Sequence, residues 1–120
     1  MTLYEEIGTE KVEKAITEFY RRAFEDGIIG HFFFQKDREH LTKMQIAFAT
    51  SALGGPRLYT GKSLVEAHRP VKIRIPHFRR RQILMGEVLD ELGLREDLKL
   101  RWLEIEESLR PLIMGPMGTC

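Results

Sequence analysis

An all-α fold is what this sequence predicts, and three observations carry that expectation. Apolar residues recur at steps of three and four through successive segments of the chain, the signature of helices with one buried face. Apart from Gly86 and Pro111, glycine and proline past the first turn fall between these segments rather than inside them. The single alternating run, VKIRI at 71–75, has no partner run to pair with, so it is discounted as a strand.

Taken in order, Thr2 and Glu5 have capping-box spacing and predict a short first helix that stops at Gly8. Thr9 is then expected to cap a second helix, whose apolar face is Val12, Ile16, Phe19 and Ala23 with Ala15 and Tyr20 alongside, ending at Asp26 and Gly27. The stretch GIIGHFFFQKD combines two glycines with three aromatic rings, which predicts an irregular or short helical segment with Phe32 and Phe33 buried. Asp37 is expected to cap a third helix that runs through Phe48 and Leu53 to the GGP break at 54–56. Gly61, Pro70 and Pro76 interrupt residues 57–76, where KSLVEAH has room for about one and a half turns. From Phe78 a fourth helix follows the stripe Leu84, Met85, Val88, Leu89 and Leu92 to Gly93. A last one carries Leu98, Trp102, Ile105, Leu109 and Ile113. Residues 1–114 read as one domain and 115–120 as a flexible tail.

Composition narrows the function classes. The 120 residues are 42% hydrophobic and 31% charged with net charge +1, which suits a globular chain and names no charged partner. Cys120 is the only cysteine and lies at the C-terminus, so there is no thiolate cluster and no covalent haem motif. An acidic start, MTLYEEIG, and the lack of a long apolar run point to the cytoplasm, with no membrane partner. A monomer is expected, and a dimer linked through Cys120 in air would be an artefact. The basic run HFRRRQ at 77–82 is expected to be a solvated helix face rather than a nucleic-acid site. The histidines His31, His40, His68 and His77 lack the close spacing of a protein-only metal site, and no phosphate-cradling glycine motif is present. A lone histidine can still hold iron if a porphyrin supplies the other ligands.

One residue stands out. In LTKMQIAF, Leu41, Met44, Gln45 and Phe48 share one helix face, and Gln45 puts an amide where burial without a partner costs a few kcal/mol. The segments LYEEIG, FYRRAFED, GHFF, LTKMQIAFATSALGGPRLYTG, EAH and IPHF occur in an order that resembles the group I truncated haemoglobins from residue 3 to about residue 94. The resemblance implies a two-over-two helical sandwich around a b-type haem, with the stretch at 57–68 presenting the iron ligand. It implies His68 of EAH as that ligand, and His77 of IPHF on the pocket wall.

On the opposite side it implies Tyr20 and Gln45 as a distal pair of hydrogen-bond donors, which would account for the amide on an apolar face. Negative charge shifted onto a ligand's outer oxygen is stabilised by roughly 1 to 3 kcal/mol per donor in a dry pocket. Leu41 stands where many globins carry a distal histidine, leaving that role to Tyr20 and Gln45. Phe33 is implied to pack on the porphyrin, with Met44, Phe48 and Phe78 as further walls. Tyr59 and Arg69 are the expected propionate partners, ahead of Lys36 and Lys72. Two departures are Gly8 and Thr9, where the family has paired glycines, and Met44, whose thioether is a candidate labile sixth ligand in place of a lysine or histidine. The function implied is reversible binding of oxygen and other diatomic gases. Alternatives are a nitric oxide dioxygenase served by a reductase, a peroxidase-like activity, and a cofactor-free helical interaction module.

Overall fold

The computed structural model describes residues 1–59, 61, 63, 66 and 72–114. Helix α1 (Leu3–Ile7) opens on the expected capping box: the Glu5 amide donates to Thr2 Oγ1 at 3.1 Å and the Thr2 amide to Glu5 Oε1 at 2.9 Å. Helix α2 (Thr9–Glu25) follows at once. Its cap is Gly8 and not Thr9: at φ +93° Gly8 makes the turn that a side chain would strain, and Thr9 is already helical. The Thr9 hydroxyl bonds to Tyr4 Oη at 2.8 Å and so ties α2 to α1.

Asp26 stops α2 and organises what comes next. Its carboxylate accepts from the amides of Ile28 and Ile29 at 3.0 and 3.1 Å, then from Arg80 of a distant helix at 2.8 and 3.0 Å. A 3-10 turn at Gly30–Phe33 carries the aromatic cluster. Phe32 and Phe33 are only half-buried, contrary to expectation, because they face a cleft rather than the core. Helix α3 (Arg38–Ala52) is capped by Asp37, which accepts from the His40 amide at 3.1 Å.

Helix α4 (Ile75–Glu91) begins three residues before the expected start at Phe78. Pro76 lies in its first turn, where a missing N–H leaves no hydrogen bond unmade, so this proline opens the helix it was expected to precede. Residues 72–74 form no strand. The KSLVEAH helix and the 115–120 tail, apart from positions 63 and 66, lie outside the described residues. The final helix divides into α5 (Glu96–Ser108) and α6 (Arg110–Met114). Pro111 explains the break, since it has no N–H to continue the ladder and its ring crowds the carbonyl four residues earlier.

Helix α2 packs on both α3 and α4, and α4 packs on α5, which layers one helix pair over another. Between them lie Val12, Phe19, Met85, Val88, Leu89 and Trp102, each almost wholly excluded from solvent. A fork of bonds from Arg22 to Glu91 at 2.6 and 2.8 Å closes the α2–α4 contact at the surface. Among the described residues no helix is long and apolar enough to cross a membrane.

Candidate functional site

The C-terminal half of α2, the 3-10 turn, the first half of α3 and the start of α4 leave a cleft of about 240 Å³. Tyr20 projects from α2 into its wall, 7% exposed, with its ring edge-on to Phe19 at 4.9 Å and to Phe33 at 5.9 Å. Phe33 in turn stacks on Phe24 at 4.7 Å, so the aromatic cluster in GHFF is held as a rigid panel. Leu41 and Gln45, one helical turn apart on α3, supply the facing wall, and Phe78 of α4 supplies the back.

His77 also lines the cleft, though its Nδ1 accepts from the Arg74 amide at 3.0 Å and serves the start of α4. Burial, then the charges of His31 and Arg74, lower the pKa of this imidazole and favour the neutral ring. Phe32 packs edge-on against it at 4.9 Å, and His31 lies 5.7 Å away. Of the other expected residues, Met44, Phe48 and Tyr59 are not among the described residues lining the cleft. Phe48 lies edge-on to Tyr59 at 5.3 Å, and Met44 and Tyr59 both lie beside Gly61, which leaves no room for a Cβ. Burial, then the charge of Glu66, raises the Tyr59 pKa. His68 and Arg69 lie outside the described residues.

The structure adds wall residues that the sequence did not single out, Phe19, Ile29, Ile73, Arg81 and Ile113, and brings Lys36, the secondary propionate candidate, to the same cleft. Arg81 corrects the reading of HFRRRQ as a solvated face. Its Nη1 donates to Glu106 Oε1 at 2.7 Å, and its guanidinium lies 4.9 Å over the Phe19 ring. Glu106 Oε2 accepts from Trp102 Nε1 at 3.0 Å, which makes a polar chain in the core. Arg80 likewise turns inward to Asp26. A signal for Arg81 was present: Phe78, Arg81 and Met85 share one face of α4, so a charge sits on an apolar stripe as the Gln45 amide does on α3.

A second, smaller cavity of about 80 Å³ adjoins the cleft, lined by Ile16, Phe48, Ala49, Trp102 and Glu106 among others. Tyr20, Gln45, Arg81 and Ile113 line both spaces and form the partition. Burial raises the Tyr20 pKa, opposed by the Arg81 charge, so its phenol is protonated at neutral pH. For Arg81 burial works against the charge, but Glu106 and Tyr20 outweigh it and hold the guanidinium above its ordinary range. Apolar and aromatic walls, two neutral hydrogen-bond donors at the partition and Lys36 at the side fit a flat apolar group with anionic substituents, such as haem.

Residues 2–114 match the bacterial-like globin family. The chain is 34% identical over 115 residues to a group 1 truncated hemoglobin of Tetrahymena pyriformis, with 95% of each chain covered. It is 36% identical over 102 residues to one of Synechocystis sp., covering 81% of this chain and 82% of that relative. The crystal structure of the Tetrahymena pyriformis truncated hemoglobin in its Fe(III) form matches with a TM-score of 0.91 at 32% identity, covering 96% of this chain and 99% of the other. By sequence over nearly its whole length, and by its two-over-two arrangement of helices, the chain belongs to the bacterial-like globins as a truncated haemoglobin.

Proposed function

We propose that this globin holds a b-type haem in the cleft between α3 and α4 and binds oxygen and other diatomic gases reversibly, with Tyr20 and Gln45 as the residues that retain the gas. The observation that carries the reading is that those two donors line a cleft whose other walls are mostly apolar and aromatic. Haem supplies the iron to which a gas attaches. Phe33, Leu41 and Phe78 grip the flat faces of such a group by dispersion and exclude water from it. Lys36 is the described cation suited to a propionate, with Arg69 as the partner implied by the resemblance. His68 is the proposed iron ligand, in keeping with its EAH context.

Tyr20 Oη holds its proton through the neutral range and can donate it as a hydrogen bond into the cleft. The Gln45 side-chain amide offers a second N–H from the facing helix. Two donors converging on charge that develops at a ligand's outer atom slow its escape more than its capture. Nitric oxide dioxygenation would draw on the same two donors, with a reductase as partner and the cytoplasm as setting.

Absorption spectra of the haem-loaded protein, ferric, ferrous and gas-exposed, test the proposal beside a His68→Gly variant. The parent should form a globin-type spectrum and the variant should lose its proximal-ligand character. Tyr20→Phe and Gln45→Leu should each speed oxygen release about tenfold or more, the loss of one hydrogen bond in a dry site. A parent chain that takes up no haem would refute the assignment, and a stable colourless fold would instead support an interaction module.

A further inference from the structure

Arg81 gives the cleft an electrical asymmetry that the Tyr20 and Gln45 pair does not explain. The ion pair it forms with Glu106 spans the partition: Arg81 lines the cleft, whereas Glu106 lines only the adjoining cavity. Both carboxylate oxygens of Glu106 are engaged, Oε1 by Arg81 and Oε2 by Trp102, so the anionic end is fixed away from the cleft. The pair is therefore a buried dipole with its positive end toward the ligand space. Among the described residues lining the cleft there are two cations, Arg81 and Lys36, and no carboxylate. That is out of proportion to a chain with 19 basic and 18 acidic residues.

The chemistry of the partition points the same way. A guanidinium has five N–H donors and no acceptor; Nη1 of Arg81 donates to Glu106 and Gln82, and the group also hydrogen-bonds the Tyr20 hydroxyl, which leaves donors to spare. Tyr20 and the Gln45 amide add donors beside it. A guanidinium fixed by a carboxylate and stacked over a ring has lost its rotamer freedom before any ligand arrives. A bound diatomic gas offers a third, charged donor only partial charge; a small anion offers it a full one.

We propose that Arg81 is a specificity-determining residue of the ligand site, which raises the affinity of the cleft for small monovalent anions, nitrite and azide among them, over neutral ligands. Arg81 supplies the charge, Glu106 and Trp102 hold it in place, and Tyr20 and Gln45 complete the donor set. The proposal rests on the haem assignment above, since the anion would sit on the open side of that group.

Equilibrium titration of the ferric, haem-loaded protein with sodium nitrite and sodium azide tests it, with imidazole as a neutral ligand for comparison and the visible spectrum as the readout. Arg81→Met should weaken both anions about tenfold or more and change imidazole by less than about twofold. Arg81→Lys, which keeps the charge and loses the fork, should fall between the two. Glu106→Gln keeps an acceptor for Trp102 and releases the Arg81 charge from its counter-ion, so it should tighten anion binding severalfold. A purely structural ion pair would instead weaken all three ligands in both variants. Unchanged nitrite and azide affinity in Arg81→Met, or weaker anion binding in Glu106→Gln, would overturn the proposal while leaving the haem assignment intact. A parent chain that binds no haem would overturn both.

Discussion

Helices α2 and α3 are of similar length and both carry an apolar stripe, yet only one of them is finished by protein. Along α2, Val12, Ala15, Ile16, Phe19, Tyr20 and Ala23 are all buried, against α3 on one flank and α4 on the other. Along α3 the buried residues are Ala49 and Thr50 alone, while Leu41, Met44, Gln45, Ile46 and Phe48 remain half-exposed. The stripe on α2 meets its partners within the chain. The one on α3 is buried at its C-terminal end and open at the other, where the cleft lies. The half-buried part of the stripe on α3 includes Leu41 and Gln45, which line the cleft.

The contrast can be broken most sharply at its finished end. Phe19→Ala removes a ring that is 1% exposed and should cost roughly 3–5 kcal/mol in chemical denaturation, with or without haem. Leu41→Ala should behave differently: under about 1 kcal/mol in the haem-free chain, and about 2 kcal/mol when haem is bound, because only then is the side chain covered. Equal losses in the two states would mean that α3 is already complete without a ligand.

Smaller effects sharpen the same boundary. Asp26→Ala removes the acceptor for two backbone amides and frees Arg80, so stability should fall by about 1–2 kcal/mol and the 3-10 turn should exchange its amide protons faster. The smallest expected effect is a pH dependence. Because His77 titrates below its ordinary value in the folded chain, the fold favours the neutral ring. Its contribution is complete above the unfolded value of about 6.5 and is lost as pH falls through the folded value. Denaturation midpoints between pH 7 and 5 should decline less in a His77→Gln variant, which keeps an acceptor for the Arg74 amide.

Local signals in the sequence were enough for the helices and most of their ends. Thr2 with Glu5, Asp37 and Gly93 mark boundaries through contacts a few residues long, and such contacts are visible in a string of letters. Pro76 and Pro111 were harder, because the same residue ends one helix and begins another depending on which side the chain continues. The stripe on α3 and the amide at Gln45 announced a site, and the family resemblance named the residues opposite. Arg81 escaped notice for a physical reason. Its burial is decided by Glu106, twenty-five positions away on another helix, and in its own neighbourhood it reads as one of three consecutive arginines.

The turn after α3 has a mechanical meaning. Gly54, at φ +97°, brings the chain against Thr2, and Gly55 comes so near the Tyr4 ring that a Cβ there would collide with it. The Tyr4 amide donates to the Leu53 carbonyl at 2.8 Å, and Leu53 itself is buried. Helix α3 is therefore clamped at its C-terminal end to α1 and packed along its length on α2, while Leu41 and Gln45 near its other end face the cleft. The reach of Leu41 and Gln45 into the cleft is thus set by two glycines at the far end of their own helix, so a Cβ at Gly55 would be felt where no side chain of the turn extends.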